Sequence, residues 1–214
     1  MDLILVRHGL TDWNEQGRLM GRSDIELNGR GHAQVQAVAE ALRHVPIQSV
    51  LSSPQRRTLQ TAEAIAHLHR LPVRTEPALA EVWLGHWQGM TWNEIKDDPD
   101  VARYLADPGH VCDAFEPATS VQERVVGLIE GRRSAAEEQV VVVSHGDPLR
   151  ILLAYYLSVP LGGYRRLEVA PASVSVLRFS PASDVRLVLL NWRPQRARDQ
   201  LQMLPSRPAR PQVS

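Results

Sequence analysis

A single cysteine, Cys112, stands in this 214-residue chain, so no internal disulfide can form. With no Cys or His cluster around it, that thiol reads as structural rather than as a metal ligand. Lys96 is the one lysine, a bias that reflects base composition more than function, and it leaves the cationic work to arginine. No stretch reaches the roughly 20 apolar residues of a membrane span, and the apolar opening is too short, and lacks the cleavage site, for a signal peptide. Both absences point to a cytosolic protein. Net charge is missing as well: 24 Lys+Arg balance 24 Asp+Glu, so no global field recruits nucleic acid or a membrane surface. Any anion must therefore be held by a local cluster. What is present is 43% hydrophobic content, enough for one sizeable core with a small insertion.

Apolar strand-like runs alternate with amphipathic segments along the chain, the pattern of an α/β protein with a mainly parallel sheet. Three strand-to-helix junctions carry the interest. In "LILVRHGLTDWN" a run buried on both faces, Leu3 to Val6, ends on Arg7 and His8. Ligands collect at such strand ends. A loop then leads to Asn28, a suitable N-cap for a helix whose apolar stripe is read as Ala33, Ala37 and Ala41 with Val38 and Leu42. The histidines of that helix region, His32 and His44, read as solvated. In "QSVLSSPQRRTLQTAEAIAHL" a strand near Ser49 to Leu51 gives way to a helix, with Ser53 as N-cap and Pro54 at the first helical position. Arg56 and Arg57 then fall in the first turn, against the positive end of the helix dipole. Arg56 reads as solvated, whereas Arg57 suits an anion bound there.

The third junction, "QVVVVSHGDPLRILLAYYLSV", repeats the first: Val140 to Val143, then Ser144, His145 and Gly146, with Asp147 as N-cap and Pro148 opening the helix. Taken singly, each histidine reads as a satisfied polar residue at a strand end. Four basic groups converging on one sheet edge need a counter-anion, and phosphate suits them.

The segments "LVRHGLTDWN", "SSPQRRTLQTA", "LAEVWLGHWQG" and "VVVSHGDPLR" resemble, in order, the four signatures of the histidine phosphatase superfamily, the phosphoglycerate-mutase-like group. The match covers residue 2 to about residue 192. The resemblance implies a three-layer α/β sandwich and a nucleophilic His8 that becomes phosphorylated. It implies that Arg7, Arg57 and His145 hold the phosphoryl oxygens, that Glu81 is the proton donor, and that Asn14 and Gly146 also contact the phosphate. The chemistry agrees: neutral imidazole attacks phosphorus, cationic donors spread over the equatorial oxygens, and no metal or other cofactor is required. Trp83, Leu84, Trp87 and Gly89 would give Glu81 the partly dry setting that raises a carboxyl pKa.

Departures from the mutase pattern point to the phosphatase branch. Met20 and Leu84 stand where mutases have a hydroxyl residue and a tyrosine. The segment from Met90 to Thr119 is short and acidic, with only Lys96 and Arg103 as cations, which does not suit a bisphosphate clamp. Phosphatases of the group carry an acidic residue where this chain has Pro117, Ala118, Thr119 and Ser120, so no familiar substrate transfers directly. Ser120 with Glu123 reads as a capping box for a helix running to about Arg132. The expected activity is that of a histidine acid phosphatase-type phosphoric monoester hydrolase. Its substrate would be a small phosphorylated metabolite held under a lid of Trp83, Trp87 and Trp92. The alternatives are a phosphoglycerate mutase or bisphosphatase, and a non-catalytic phosphate-binding module. The expected domain is 1–192, with a lid-like segment at about 82–119 and two final β runs, "ASVSVLRF" and "VRLVLLNW". The Arg/Pro-rich tail, 193–214, reads as disordered, or as packing over the partner in a homodimer.

Overall fold

In each central strand, alternate side chains enter two different cores, and this fixes the layers. The computed structural model describes residues 1–111, 115–133, 139–180 and 184–194. Cys112 and the tail from residue 195 lie outside the described residues. Six strands, β1 (Asp2–Arg7), β2 (Ser49–Ser52), β3 (Val73–Thr75), β4 (Gln139–Ser144), β5 (Val174–Phe179) and β6 (Val185–Trp192), form one sheet in the order β3-β2-β4-β1-β5-β6. The β3-β2, β2-β4 and β4-β1 pairs are parallel, and β5 and β6 add an antiparallel edge. Leu3, Leu5, Leu51, Val140 and Val142 face one core. Ile4, Val6, Val50, Val141 and Val143 face the other.

Helices cover both faces. On one side lie α2 (Gly29–Leu42) and α3 (Arg56–His69), which follow the one-turn α1 (Asp12–Glu15). On the other lie α6 (Ala118–Arg133) and α7 (Gly146–Tyr156). Between β3 and α6 the chain forms two short helices, α4 (Trp92–Ile95) and α5 (Pro99–Ala106), together with 3₁₀ turns at Pro77–Leu79 and Gly85–Trp87. Among the described residues no helix is long and apolar enough to cross a membrane.

Asn28 caps α2 as read from the sequence, its side chain accepting from Gly31 N at 2.9 Å. The buried face of that helix differs from the alanine stripe. Val35, Val38, Ala39, Ala41 and Leu42 point inward while Ala33 is exposed, because methyl groups are too small to outweigh valine and leucine in orienting a helix. The other three helix starts read from the sequence are displaced. Helix α3 begins at Arg56 with Gln55 as its cap residue, since the Ser53 hydroxyl is taken by Gln55 and His145. Helix α7 begins at Gly146 after His145, so Pro148 sits within the first turn, where its missing N–H costs nothing, and Asp147 is not the cap. Helix α6 begins at Ala118, whose methyl group is buried, and Ser120 lies inside it rather than capping it.

Candidate active site

Register delivers the site. In the parallel ladder Arg7 lies opposite Ser144, and Ser52 lies opposite Val143, so the residues that follow all emerge at the carboxyl edge of the sheet. Pairing continues one step further, with His8 N donating to Ser144 O at 3.1 Å and Ser53 N to Val143 O at 3.0 Å. His8, Ser53 and His145 are thereby side by side, and the rings of His8 and His145 lie 5.3 Å apart, edge to face. Close packing of the loop after β1 needs two glycines. A Cβ on Gly31 would come 2.0 Å from Leu10 O, and one on Gly9 would come 2.7 Å from Gly31 O.

His8 is fully buried, and its Nδ1 lies 2.7 Å from Gly9 O. A carbonyl only accepts, so Nδ1 carries the proton and the lone pair is on Nε2. That Nε2 has no partner among the described residues. Burial, with Arg57 and Arg7 close by, holds the ring well below the usual imidazole pKa, so it is neutral. A neutral imidazole with an unengaged lone pair, flanked by two guanidinium groups, is the form a nucleophile toward phosphorus requires.

Arg57 enters from the first turn of α3. Its Nη1 donates to Ser23 O at 2.7 Å, its Nη2 to Gly21 O at 2.8 Å and its Nε to His145 Nδ1 at 3.2 Å. Each Nη keeps a second N–H for an anion. Because Nδ1 of His145 accepts, its proton is on Nε2, which lies 2.7 Å from Ser53 Oγ and 2.9 Å from Gln55 Oε1. Burial and Arg57 hold this ring, too, well below its ordinary pKa. Arg7 donates from Nη1 to Val169 O at 2.7 Å, while its buried Nε has no partner among the described residues. Desolvation lowers both guanidinium pKa values to about 10, which leaves them cationic at neutral pH.

Glu81 follows the 3₁₀ turn that ends at Leu79, and Ser144 Oγ fastens this stretch by donating to Leu79 O at 2.7 Å. Burial and the charge of Asp147 push the Glu81 carboxyl up to about 7, against the pull of the Val82 N–H, Arg57 and Arg7. Gly146 opens α7 at a crowded point, where an added Cβ would meet Arg150 Nη1 at 3.1 Å and Arg7 Cζ at 3.5 Å. Asn14 spends its Oδ1 on the capping box with Thr11, at 3.1 Å from both Thr11 N and Thr11 Oγ1, which leaves its Nδ2 to offer an anion. Among the described residues no three His, Cys, Asp or Glu side chains gather as metal ligands would.

Residues 3–193 match the family model of the histidine phosphatase superfamily (branch 1). The chain belongs to that superfamily. It is 35% identical over 191 residues to phosphoserine phosphatase 1 of Hydrogenobacter thermophilus, covering 87% of this chain and 90% of that one. It is 31% identical over 205 residues to a glucosyl-3-phosphoglycerate phosphatase of Mycobacterium tuberculosis, covering 89% and 91%. The solved structure of a mycobacterial glucosyl-3-phosphoglycerate phosphatase superposes with a TM-score of 0.80 at 29% identity, covering 89% of this chain and 98% of that one. This histidine phosphatase therefore shares its architecture, and not only its motifs, with phosphatases of small phosphorylated compounds.

The structure gives Asp147 other partners than the cap role read from the sequence, and adds residues that sequence reasoning left without a role. Asp147 accepts from Arg150 at 3.0 Å and from Tyr104 Oη at 3.3 Å, and Arg150 also donates to Leu167 O at 3.0 Å. The i, i+3 spacing in "GDPLR" was the available signal for that ion pair. Gln55 was hidden because nothing in its own segment points to His145. Of the three tryptophans of the expected lid, Trp87 and Trp92 line one cavity and Trp83 does not. Trp87 is buried, stacked on Phe115 at 5.5 Å with its Nε1 donating to Asp98, whereas Trp92 is half-exposed and Trp83 is on the surface. Leu19, Leu84, Trp87, Trp92, Tyr104 and Arg150 border a cavity of about 320 Å³. Arg56, read as solvated, is exposed but paired with Asp24 and Glu26.

Proposed function

We propose that this histidine phosphatase hydrolyses small phosphomonoesters by way of a phosphohistidine at His8, without a metal ion. The observation that carries the reading is the buried, neutral His8 whose Nε2 lone pair is unengaged beside the unpartnered Nε of Arg7. In the first step His8 Nε2 forms a bond to phosphorus and the bond to the ester oxygen breaks. Glu81, protonated up to about pH 7, supplies the proton to the departing alcohol. In the second step water attacks phosphorus, the P–N bond breaks, and Glu81 takes the proton back, so that inorganic phosphate leaves and the enzyme is regenerated. Arg7 and Arg57 form the cationic cradle of the phosphoryl group, and His145, whose two ring nitrogens are engaged by Arg57 and by Ser53 and Gln55, aligns Arg57, while Asn14 Nδ2 and the Gly146 end of α7 complete it. The alcohol part extends into the cavity bordered by Trp92 and Tyr104, whose Arg150 adjoins Arg7.

The test is phosphate release from a panel of esters, compared with His8→Ala. The panel holds nitrophenyl phosphate, phosphoserine, 3-phosphoglycerate and sugar phosphates, since relatives carry phosphoserine and glucosyl-3-phosphoglycerate in their names. Release is expected from the native protein alone, with label from a phosphate-labelled ester trapped on His8. Turnover that survives in His8→Ala removes the nucleophile assignment.

A further inference from the structure

Glu81 has to present its carboxyl to the leaving oxygen within a few tenths of an ångström, yet it stands in a stretch between two 3₁₀ turns, outside any long helix or strand. Something else must hold it. The main chain on both sides of Glu81 is gripped by one ionic cluster. Glu116 Oε1 accepts from Arg124 Nε at 2.9 Å, and Glu116 Oε2 accepts from Arg124 Nη2 at 3.0 Å and from Arg22 Nη2 at 3.1 Å. The same two arginines reach the stretch directly: Arg124 Nη1 donates to Ala78 O at 2.6 Å, and Arg22 Nε donates to Glu81 O at 3.1 Å, with Arg124 Nη2 at 3.4 Å from that oxygen. Glu116 closes the far side, its Oε2 accepting from Trp83 N at 3.3 Å and its own N donating to Trp83 O at 2.8 Å.

We propose that Glu116, acting with Arg124 and Arg22, is the positioning device for Glu81. The inference rests on the reading of Glu81 as the general acid. Its geometry suits the task, because a bidentate guanidinium–carboxylate pair has one preferred plane and transmits that orientation to the carbonyls it also holds. The pair is shielded as well, with 14% of the Glu116 side chain and 17% of the Arg124 side chain exposed. Arg22 adds a link between functional parts. It stands between Gly21 and Ser23, whose carbonyls hold Arg57, so the phosphoryl-binding arginine and the acid are fastened by one short loop.

The test uses kcat/KM, which reports steps up to departure of the alcohol and so excludes the later hydrolysis of the phosphoenzyme. Glu81→Gln, Glu116→Gln and Arg22→Ala are compared on an alkyl phosphate, whose leaving group needs a proton, and on nitrophenyl phosphate, whose leaving group does not. Glu116→Gln and Arg22→Ala should lose on the order of 10- to 100-fold on the alkyl ester and little on the nitrophenyl ester, following the pattern of Glu81→Gln. If Glu81→Gln shows that selectivity while neither positioning variant does, or if they lose equally on both esters, the clamp is refuted. If Glu81→Gln itself loses equally on both esters, the acid assignment fails instead. Should Glu116→Gln not fold, Arg22→Ala decides the question alone, since 42% of the Arg22 side chain is exposed and its removal leaves the Glu116–Arg124 pair intact.

Discussion

Replacing Glu81 by Gln should remove one component of the enzyme's pH-dependent stability, and by an amount that can be worked out in advance. The Glu81 carboxyl moves from 4.5, its ordinary value, to about 7 in the folded protein. Between those values the native state holds a proton that the unfolded chain has released, so stability falls as pH rises through the window. At about 1.4 kcal/mol per unit the shift corresponds to about 3 kcal/mol, and partial exposure brings the expected loss to about 2 kcal/mol. His8 and His145 act in the opposite sense. Their folded pKa values lie below 6.5, so they add stability as pH rises toward that value, and they do so in both proteins. The comparison therefore isolates Glu81. Urea unfolding of the native protein and of Glu81→Gln, at about pH 5 and about pH 8, should show the variant gaining about 2 kcal/mol on the native protein between the two conditions. Parallel pH profiles would mean that the carboxyl titrates normally, and would remove its assignment as an acid poised near neutrality.

Three further outcomes are expected. Arg57→Lys should lower kcat/KM for all esters on the order of 100-fold or more, because one ammonium cannot keep the contacts to Ser23 O, Gly21 O and His145 while also binding an anion; steady-state kinetics at saturating and limiting substrate would check this. Gly31→Ala should cost about 2 kcal/mol or more in denaturant unfolding, since its Cβ would overlap Leu10 O and push the loop between His8 and Thr11 off α2. Asn28→Ala should cost about 1 kcal/mol through the lost cap of α2 and leave the leaving-group dependence of kcat/KM unchanged; a calorimetric melt and the two-ester assay would show both.

Where strand ends supply the candidate site, the sequence is readable, because a four-residue apolar run that stops at a polar or charged side chain marks a strand end without any knowledge of its neighbours. Leu3 to Val6 and Val140 to Val143 are such runs, and the parallel register then brings Arg7, His8 and His145 together. Helix starts were less legible. Ser53–Pro54 and Asp147–Pro148 both look like a cap followed by a first helical residue. In the fold, the Ser53 hydroxyl goes to His145 and Gln55, and α7 opens two residues ahead of its proline. The competing partner is distant in sequence, so local rules have no access to it. The same holds for the acidic residue sought among Pro117 to Ser120. Glu116, just before that stretch, receives Arg124 and Arg22, and only the tertiary fold brings Arg22 there.

Strand β1 lies between β4 and β5, both of which are made much later in the chain. A ribosome therefore releases the strand that leads into His8 long before either of its partners exists. During that interval β1 has apolar residues on both faces and an unsatisfied ladder on both edges, which is the profile of a segment that needs protection during synthesis. Any product that stops short of β4 carries His8 without the strand that completes its pocket. His8 and His145 therefore come together only when the late strands close around the early one.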